Sequence, residues 1–330
     1  MQIDEIDKTL LNIIQSEFPL GREPFSLLGA TVGIYGSEVI KRIERLKATG
    51  IIRLIGPVMN PKRLGYQTTL VAAKISTKQL DRASLIIRGN PMVSHCYERD
   101  HDFNIWLTLA VPVTADPEDE VGKLGNQIGS ETMLNLPAIK TFKIGAYFPI
   151  DSGNSNLSLP PKHNHHLVPD NGNNLTTIDR AVINALQLDL PLIERPFDLM
   201  SAELRIGADE FLNQCRALLR RGIMRRYSAS INQYKLGFKA NAMSCWKVPK
   251  VKVNMAGKRI TIFPEVSHCY ERQTNTFWPY NLFAMVHAYN RKQCREIIDK
   301  IQLEAGLDSQ EHINIFSTKE VKKTRVKYTV

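Results

Sequence analysis

Two segments of the chain carry the same six residues, whose types suit acid–base chemistry and anion binding. Residues 94–99 read Ser-His-Cys-Tyr-Glu-Arg, and residues 267–272 repeat them letter for letter. Because side chains alternate along a β-strand, one face of each segment presents a histidine, a tyrosine and an arginine. These residues are His95, Tyr97 and Arg99 in the first segment, and His268, Tyr270 and Arg272 in the second. Imidazole is the most available proton donor near neutral pH, phenol is second, and guanidinium binds carboxylates, so the repeated face favours a functional site over a structural one.

The repeated motif belongs to a duplication of most of the chain. Ile6-Asp7 recurs as Ile178-Asp179 at an offset of 172, and the six-residue motif returns at an offset of 173. Between the copies, residues 151–174 are rich in Asn, Ser, Pro and Gly, which is typical of an exposed linker. We interpret the histidines at 163, 165 and 166 as part of this solvated linker rather than as a metal site.

Each copy shows the periodicities of two small domains. Apolar residues at helical spacing predict three short helices, and residues 51–58 are interpreted as a β-wing, which together give a winged helix-turn-helix. Strands predicted at 68–75, 93–99, 104–111 and 139–147 alternate with helices at 78–88 and 118–128. This βαββαβ order predicts a ferredoxin-like domain, and the fold class is α+β. The predicted segments are 1–60 and 61–150 for the first copy, 151–174 for the linker, and 175–232 and 233–330 for the second copy, where 250–259 is a poor helix former.

The composition indicates a globular chain with an anionic partner. The 330 residues carry a net charge of +10, of which residues 1–150 contribute +1 and the remainder +9. The five cysteines form no C-x-x-C pair, no apolar run approaches the ~20 residues of a membrane span, and the amino terminus does not resemble a secretory signal. We therefore expect a reduced, cytoplasmic setting and no membrane association. No glycine-rich nucleotide loop follows a predicted strand, and no His/Cys cluster has metal-ligand spacing, so no organic cofactor is expected.

The order of domains resembles that of the AsnC/Lrp layout, and the motifs resemble those of the siroheme decarboxylase family, which is built on that layout from two related subunits. The resemblance extends over almost the whole chain outside the linker. The presence of both subunit types in one chain is similar to the fused form linked to heme d1 synthesis. The matching motifs are residues 94–99 with Asn104-Ile105-Trp106, Leu134-Asn135-Leu136-Pro137, residues 267–272 with Trp278-Pro279-Tyr280-Asn281-Leu282, and residues 316–320 running into Lys322-Lys323-Thr324-Arg325.

This resemblance implies that the chain removes two acetate carboxylates of siroheme, giving 12,18-didecarboxysiroheme in heme d1 or alternative heme biosynthesis. Siroheme is strongly anionic, so its pocket needs several cations and a surface for a flat ring. The implied catalytic residues are His268, His95, Tyr270 and Tyr97. The implied substrate-binding residues are Arg272, Arg99, Lys319, Lys323, Arg325, Trp278 and Tyr280. The only expected metal is the substrate iron, for which His95 or His268 is the candidate axial ligand.

The second copy is expected to hold the more complete pocket. Its basic tail, which includes Lys319, Lys322, Lys323, Arg325 and Lys327, is expected on a strand beside the one that carries Arg272, with the last three on one face. The first copy ends at residues 142–145 without such a tail. Three features of the second copy favour His268 as the proton donor: the basic tail, the +9 charge and a loop at 278–280 that could close over a flat ring. His95 is then the candidate for the iron or for a second pocket. The alternative interpretation of the tail is an edge strand protected by lysines.

The alternative function is an AsnC/Lrp-type transcription regulator, including a heme-responsive one. Such a regulator lays the third helix of each winged unit in the major groove of DNA. In this chain those helices begin with acids that would face phosphates, and only residues 41, 42, 45 and 47 resemble a DNA-facing basic set. We therefore expect DNA binding to be weak. From the duplication we expect the two copies to form an internal pseudo-dimer through their ferredoxin-like sheets. The sequence leaves open whether the chain also forms a homo-oligomer.

Overall fold

The computed structural model describes residues 3–145, 147–150, 175–307 and 309–330. The chain folds into two compact units: a helical unit (1–64, 147–236 and 328–330) and a barrel unit (65–146 and 237–327). Each unit contains the corresponding part of both copies, so the units do not divide the duplication. The linker predicted at 151–174 lies outside the described residues.

The two copies have the same order of elements. The first copy contains α1 (Glu5–Ser16), α2 (Pro24–Val32), α3 (Gly36–Ala48), β1 (Ile52–Met59), β2 (Tyr66–Lys74), α4 (Leu80–Gly89), β3 (Val93–Arg99), β4 (Ile105–Pro112), α5 (Pro117–Ile128) and β5 (Thr132–Ile144). The second copy contains α6 (Thr177–Leu186), α7 (Pro196–Glu203), α8 (Ala208–Arg220), β6 (Met224–Ile231), β7 (Ala240–Trp246), α9 (Lys250–Ile260), β8 (Val266–Arg272), β9 (Leu282–Ala288), α10 (Arg291–Ala305) and β10 (His312–Lys323). The predicted βαββαβ order is confirmed in both copies.

In the helical unit, a buried carboxylate ties the first helix of each copy to its third. Asp7 on α1 is fully buried, and it accepts hydrogen bonds from Arg42 (3.0 Å) and Arg45 of α3. Asp179 on α6 is equally buried and is bound at 2.7 Å by Arg221, which caps α8. A buried carboxylate is costly unless it is paired, so these arginines hold the helices together.

The strand after the third helix does not form a local wing, which corrects the sequence interpretation. β1 pairs antiparallel with β6 of the other copy in a two-stranded sheet, with Ile55 opposite Ala229. Each copy supplies only one strand at this point, so the hydrogen-bonding groups of that strand are satisfied by its counterpart.

In the barrel unit, eight strands close a barrel in the order β10-β3-β4-β2-β5-β8-β9-β7. Within each copy the third strand of the barrel pairs with the first and the second, and the last strand pairs with the first and with a strand of the other copy. β10 pairs with β3, which carries the first motif, and β5 pairs with β8, which carries the second. The last strand of each copy therefore lies beside the motif of the other.

The limits of two strands differ from the predictions in ways that affect the site. β5 begins at Thr132 rather than at 139, because Leu134 and Leu136 alternate into the core and pair with β2 before the strand reaches β8. β10 ends at Lys323, so Arg325 and Lys327 do not continue its alternation. Just beyond the strand, Thr324 donates its backbone N–H to Ser94 O, and the ladder with β3 stops there.

The segment predicted to be a poor helix former is helical because tertiary packing outweighs its low propensity. Val253, Ala256 and Ile260 of α9 are buried in one apolar cluster. Gly257 lies on the same face, and a Cβ added there would come within 2.6 Å of the Phe142 ring of β5. The glycine therefore admits an aromatic ring from the first copy into the second copy's core.

The described residues of the barrel unit form three apolar clusters. Two of them lie on the faces of the sheet that the helices cover, one in each copy. The third is built from both copies and includes Trp106, Leu136, Met243, Phe283 and Ile315. We call the side of the strands that carries this third cluster the interior face.

We predict that the two copies remain associated after the linker is cut. The β3–β10, β5–β8 and β1–β6 ladders all join strands of different copies. A protease site placed within 151–174 and cleaved should give two fragments that elute together on size exclusion and separate only in denaturant. Elution as two folded single copies under native conditions would contradict the arrangement.

Candidate active site

The polar face of each repeated motif lies on the interior side of the barrel. Arg99 is 5% exposed and donates from Nη1 to Ile315 O at 3.0 Å. Arg272 lies over the ring of Phe283, with 5.6 Å from Cζ to the ring centroid. Cys96 and Cys269, which alternate with these faces, lie in the clusters under the helices. The alternation predicted for the motif is confirmed.

Arg272 is a buried cation that has no ion-pair partner among the described residues. It is 9% exposed, its Nη1 donates to Leu136 O at 2.8 Å, and its guanidinium lies 4.6 Å from the ring centroid of Tyr270. Burial lowers the pKa of Arg272 to about 10. Since a buried charge is costly without a partner, an anionic ligand would stabilise this site.

A serine links two histidines in the second copy. Ser267 Oγ lies 2.8 Å from His268 Nδ1 and 2.7 Å from His287 Nε2. His287 is 7% exposed, and burial, with the positive charges of Lys323 and Arg99 and the neighbouring imidazole of His268, lowers its pKa well below the ordinary value. His287 is therefore neutral and faces a cationic interior.

Sequence reasoning missed His287. It occupies the position of Ala110 in the first copy, because Asn104 and Asn281 precede these residues by the same six steps. A single histidine among the apolar residues of β9 is more often structural than functional. The only sequence signal was its replacement of an alanine in an otherwise repeated strand.

The first motif has different neighbours. Ser94 Oγ lies 2.9 Å from His95 Nδ1, and His95 is exposed. Lys323 of β10 is opposite His95 in the ladder, whereas Ile144 of β5 is opposite His268. The two half-sites therefore differ in charge.

The position of the basic tail corrects the sequence expectation. Because β10 pairs with β3, the tail lies beside Arg99 rather than beside Arg272. A register shift between Glu320 and Lys322 leaves Lys323 on the side of His95. The tail was expected beside the second motif, and this expectation is wrong, since the first motif receives the basic strand.

Two lysines of the tail face away from the interior. Lys319 pairs with Glu98 at 3.0 Å and with Asp81 of α4 at 3.7 Å. Lys322 donates to Asn90 O at 2.6 Å. Lys319 was expected to contact the substrate, but its position beside these carboxylates removes it from the interior set.

The two motif tyrosines and Arg325 differ in their burial and in the side chains that they contact. Tyr97 is 8% exposed, and its hydroxyl lies 3.4 Å from Glu320 Oε2. Tyr270 stacks on His268, with 6.1 Å between the ring centroids. Arg325 lies two residues beyond β10 and is half-buried.

The aromatic loop of the second copy packs into the barrel. Trp278 is 2% exposed and meets Trp106 edge-on, with 4.9 Å between ring centroids. Tyr280 packs against Trp278 at 5.2 Å and is half-buried. Trp278 was expected to close over a flat ring, but it lies inside the third apolar cluster and supports the loop from within.

The interior thus combines an aromatic and aliphatic region with arginine, lysine and histidine side chains from both copies. Arginine and lysine can bind carboxylates, and a histidine can deliver a proton near neutral pH. Among the described residues, no three His, Cys, Asp or Glu side chains are placed to hold a metal ion. The described helices are too short or too polar to cross a bilayer.

Comparisons with known families match two segments in each copy. Residues 63–143 and 235–322 match the AsnC-like ligand binding domain. Residues 7–53 and 179–225 match the siroheme decarboxylase NirDL-like HTH domain. The α+β fold class predicted from the sequence is confirmed.

Individual relatives agree with these matches. The siroheme decarboxylase of Hydrogenobacter thermophilus is 37% identical over 98% of this chain and 95% of its own length. The alpha subunit of Desulfovibrio desulfuricans siroheme decarboxylase is 38% identical over 46% of this chain and 86% of its own length. The beta subunit of the Methanosarcina barkeri enzyme is 36% identical over 45% of this chain and 97% of its own length. Separate subunits thus correspond in length to single copies of this chain.

Two solved structures are similar over nearly the whole chain. The crystal structure of the siroheme decarboxylase NirDL aligns with a TM-score of 0.70 at 36% identity, covering 99% of this chain and 95% of that chain. A second NirDL structure, in complex with an iron-uroporphyrin III analogue, aligns with a TM-score of 0.69 at 35% identity and the same coverage. The chain belongs to the siroheme decarboxylase family, with both copies of the AsnC-like layout in one polypeptide.

Proposed function

We propose that the barrel unit binds siroheme and converts two of its acetate side chains to methyl groups, giving 12,18-didecarboxysiroheme for heme d1 or heme biosynthesis. The observation that carries this proposal is Arg272, a buried guanidinium without a carboxylate partner among the described residues. A carboxylate of the substrate would supply that charge. The NirDL structure with an iron-uroporphyrin III analogue supports a tetrapyrrole in this family's site.

The proposed binding residues are the cations that face the interior. Arg272 and Arg99 anchor carboxylates, each from the motif strand of one copy, and Lys323 adds a third positive charge. Arg325, two residues beyond β10, is proposed to bind a further carboxylate at the end of the strand. Tyr280, supported by Trp278, presents an aromatic edge to the flat ring.

The reaction balances without an external electron donor. The bond between the acetate carboxylate and its exocyclic carbon breaks, carbon dioxide leaves, and the electron pair stays on that carbon. The carbon takes one proton and becomes a methyl group. We propose that no organic cofactor takes part, and that a motif histidine supplies the proton, with Tyr270 or Tyr97 as the next donor.

The substrate iron gives the two motif histidines different possible roles. A neutral imidazole is a common axial ligand, so one histidine can hold the iron while the other delivers protons. His95 and His268 lie at equivalent positions of β3 and β8, each beside a serine hydroxyl. Either histidine is suited to either role by its residue type alone.

A regulatory function is disfavoured by the third helices. Arg42 on α3 binds Asp4 at 2.7 Å and Glu38 at 2.9 Å, in addition to Asp7. Lys47 is paired with Asp189. Most of the basic set expected to face DNA is therefore engaged within the helical unit.

We predict that DNA binding is weak and lost at physiological salt, because phosphates would have to displace these carboxylates. The measurement is a titration of duplex DNA at about 50 and 200 mM salt, in which non-specific binding weakens steeply. A footprint on a defined operator at the higher salt concentration would favour the regulator.

We predict that Arg272→Met separates binding from stability. Siroheme binding should weaken about 10- to 150-fold, the equivalent of 1.5–3 kcal/mol for one charged hydrogen bond. The melting temperature without ligand should stay at or above that of the parent, because the substitution removes a buried charge that lacks an ion-pair partner. Arg291→Met is the control, since Arg291 is half-exposed and bound to Asp100. A lower melting temperature with unchanged siroheme affinity would make Arg272 a structural residue.

We predict that histidine substitutions separate proton delivery from iron ligation. Loss of the proton donor should slow carbon dioxide release about 10²–10⁴-fold with binding nearly intact. Loss of an axial ligand should instead change the Soret band of the siroheme complex. His95→Ala, His268→Ala and the double variant are compared anaerobically, with mass spectrometry for two successive losses of carbon dioxide. Parent rates in all three would transfer the donor role to Tyr270 or Tyr97.

A further inference from the structure

We infer that His287 positions the reactive proton of His268 through the hydroxyl of Ser267, an inference that rests on the decarboxylation proposed above. The three side chains form a continuous chain, with 2.8 Å between His268 Nδ1 and Ser267 Oγ and 2.7 Å from that oxygen to His287 Nε2. Ser267 is 4% exposed and His287 is 7% exposed, so water has little access to these contacts. His287 acts through another residue and is a positioning residue rather than a catalytic one.

The number of protons available limits the directions that these hydrogen bonds can take. A hydroxyl has one proton, so Ser267 cannot donate to both histidines, and one of them must donate to Ser267 Oγ. His287 is neutral, because it is buried and faces the positive charges of Lys323 on β10 and Arg99 on β3, together with His268 on β8. In the proposed direction His268 Nδ1–H donates to Ser267, and the Ser267 hydroxyl donates to the lone pair of His287 Nε2.

The opposite direction is incompatible with proton delivery. If Ser267 donated to His268 Nδ1, that nitrogen would carry no proton, and His268 could exist only as the neutral form with its proton on Nε2. Giving up that proton would produce an imidazolate, which is far too basic to form near neutral pH. In the proposed direction the imidazolium of His268 gives its Nε2 proton to the exocyclic carbon and returns to the neutral form with Nδ1–H still in place. The proton and the charge therefore balance at every step.

The first copy lacks the third member of this chain. Ser94 Oγ contacts His95 Nδ1 at 2.9 Å, but the position of His287 is occupied by Ala110, which has no polar side-chain atom. The serine of the first copy therefore has no equivalent acceptor at this position of β4. This difference assigns proton delivery to His268, even though the basic strand lies beside His95.

The test combines the tautomer of His268 in the resting protein with its turnover. The protein is labelled with ¹⁵N-histidine, and the His268 signals are identified by their loss in His268→Ala. In the parent, neutral His268 should carry its proton on Nδ1. In His287→Ala and Ser267→Ala it should move toward the Nε2–H form that free imidazole side chains favour. Turnover on siroheme should show kcat lowered about 5- to 30-fold, with KM within about twofold of the parent, as expected for a lost hydrogen bond in a network.

Three further variants sharpen the result. His287→Gln, whose amide can reach the position of Nε2, should restore most of kcat and the Nδ1–H signal. The double variant Ser267→Ala/His287→Ala should be no slower than the slower single variant, because both substitutions interrupt one chain. Ser94→Ala is the matched control from the first copy, and it should leave the His268 signals unchanged. A parent-like His268 tautomer in His287→Ala, or multiplied effects in the double variant, would overturn the inference.

The two proposals fail in different ways. If the parent released no carbon dioxide from siroheme, the proposed function would be wrong, whatever the tautomer of His268. If the parent turned over siroheme and His287→Ala kept both the parent tautomer and the parent kcat, only the role of His287 would be wrong.

Discussion

The pairing of the last strand of each copy with the motif strand of the other is the constraint on which the rest of the barrel depends. An antiparallel sheet leaves unpaired N–H and C=O groups on its edge strands, and closing the barrel across the two copies satisfies them. The closure places β10 beside β3 and β5 beside β8. Each motif strand therefore has a strand of the other copy as one of its two neighbours.

This pairing also makes the two half-sites chemically different. Glu320 and Lys323 face the first motif, whereas the corresponding ladder positions beside the second motif hold Thr141 and Ile144. The second motif has His287 where the first copy has an alanine. The first half-site is thus the more charged of the two, and the second contains the longer hydrogen-bonded chain. A fused chain can maintain such a difference because each copy always meets the other and never itself.

Much of the local structure could be predicted from the sequence, because helix and strand periodicity is a local property. The alternation of residues 94–99 and 267–272 was predicted correctly, and so was the βαββαβ order. Strand pairing depends on residues far apart in the chain, so the tail was placed beside Arg272 when it lies beside Arg99. The burial of Trp278 was missed for the same reason, since its partners Phe103 and Trp106 belong to the other copy. His287 was missed because its partner Ser267 lies on the neighbouring strand.

The contact between Gly257 and Phe142 has a consequence for how the copies recognise each other. By the motif offset of 173, Gly257 corresponds to Ser84 on α4, and by its place between equivalent ladder pairs Phe142 corresponds to Val321 on β10. The second copy thus receives a large ring over a residue without a side chain, and the first receives the smaller Val321 in the apolar cluster that contains Ala83, the neighbour of Ser84. If two first copies paired, Phe142 would face Ser84 and be too large for the space. If two second copies paired, Val321 would face Gly257 and leave a void. Overpacking and a void are both destabilising, so at this contact the match of a large ring with a glycine favours pairing of the two different copies over pairing of two identical ones.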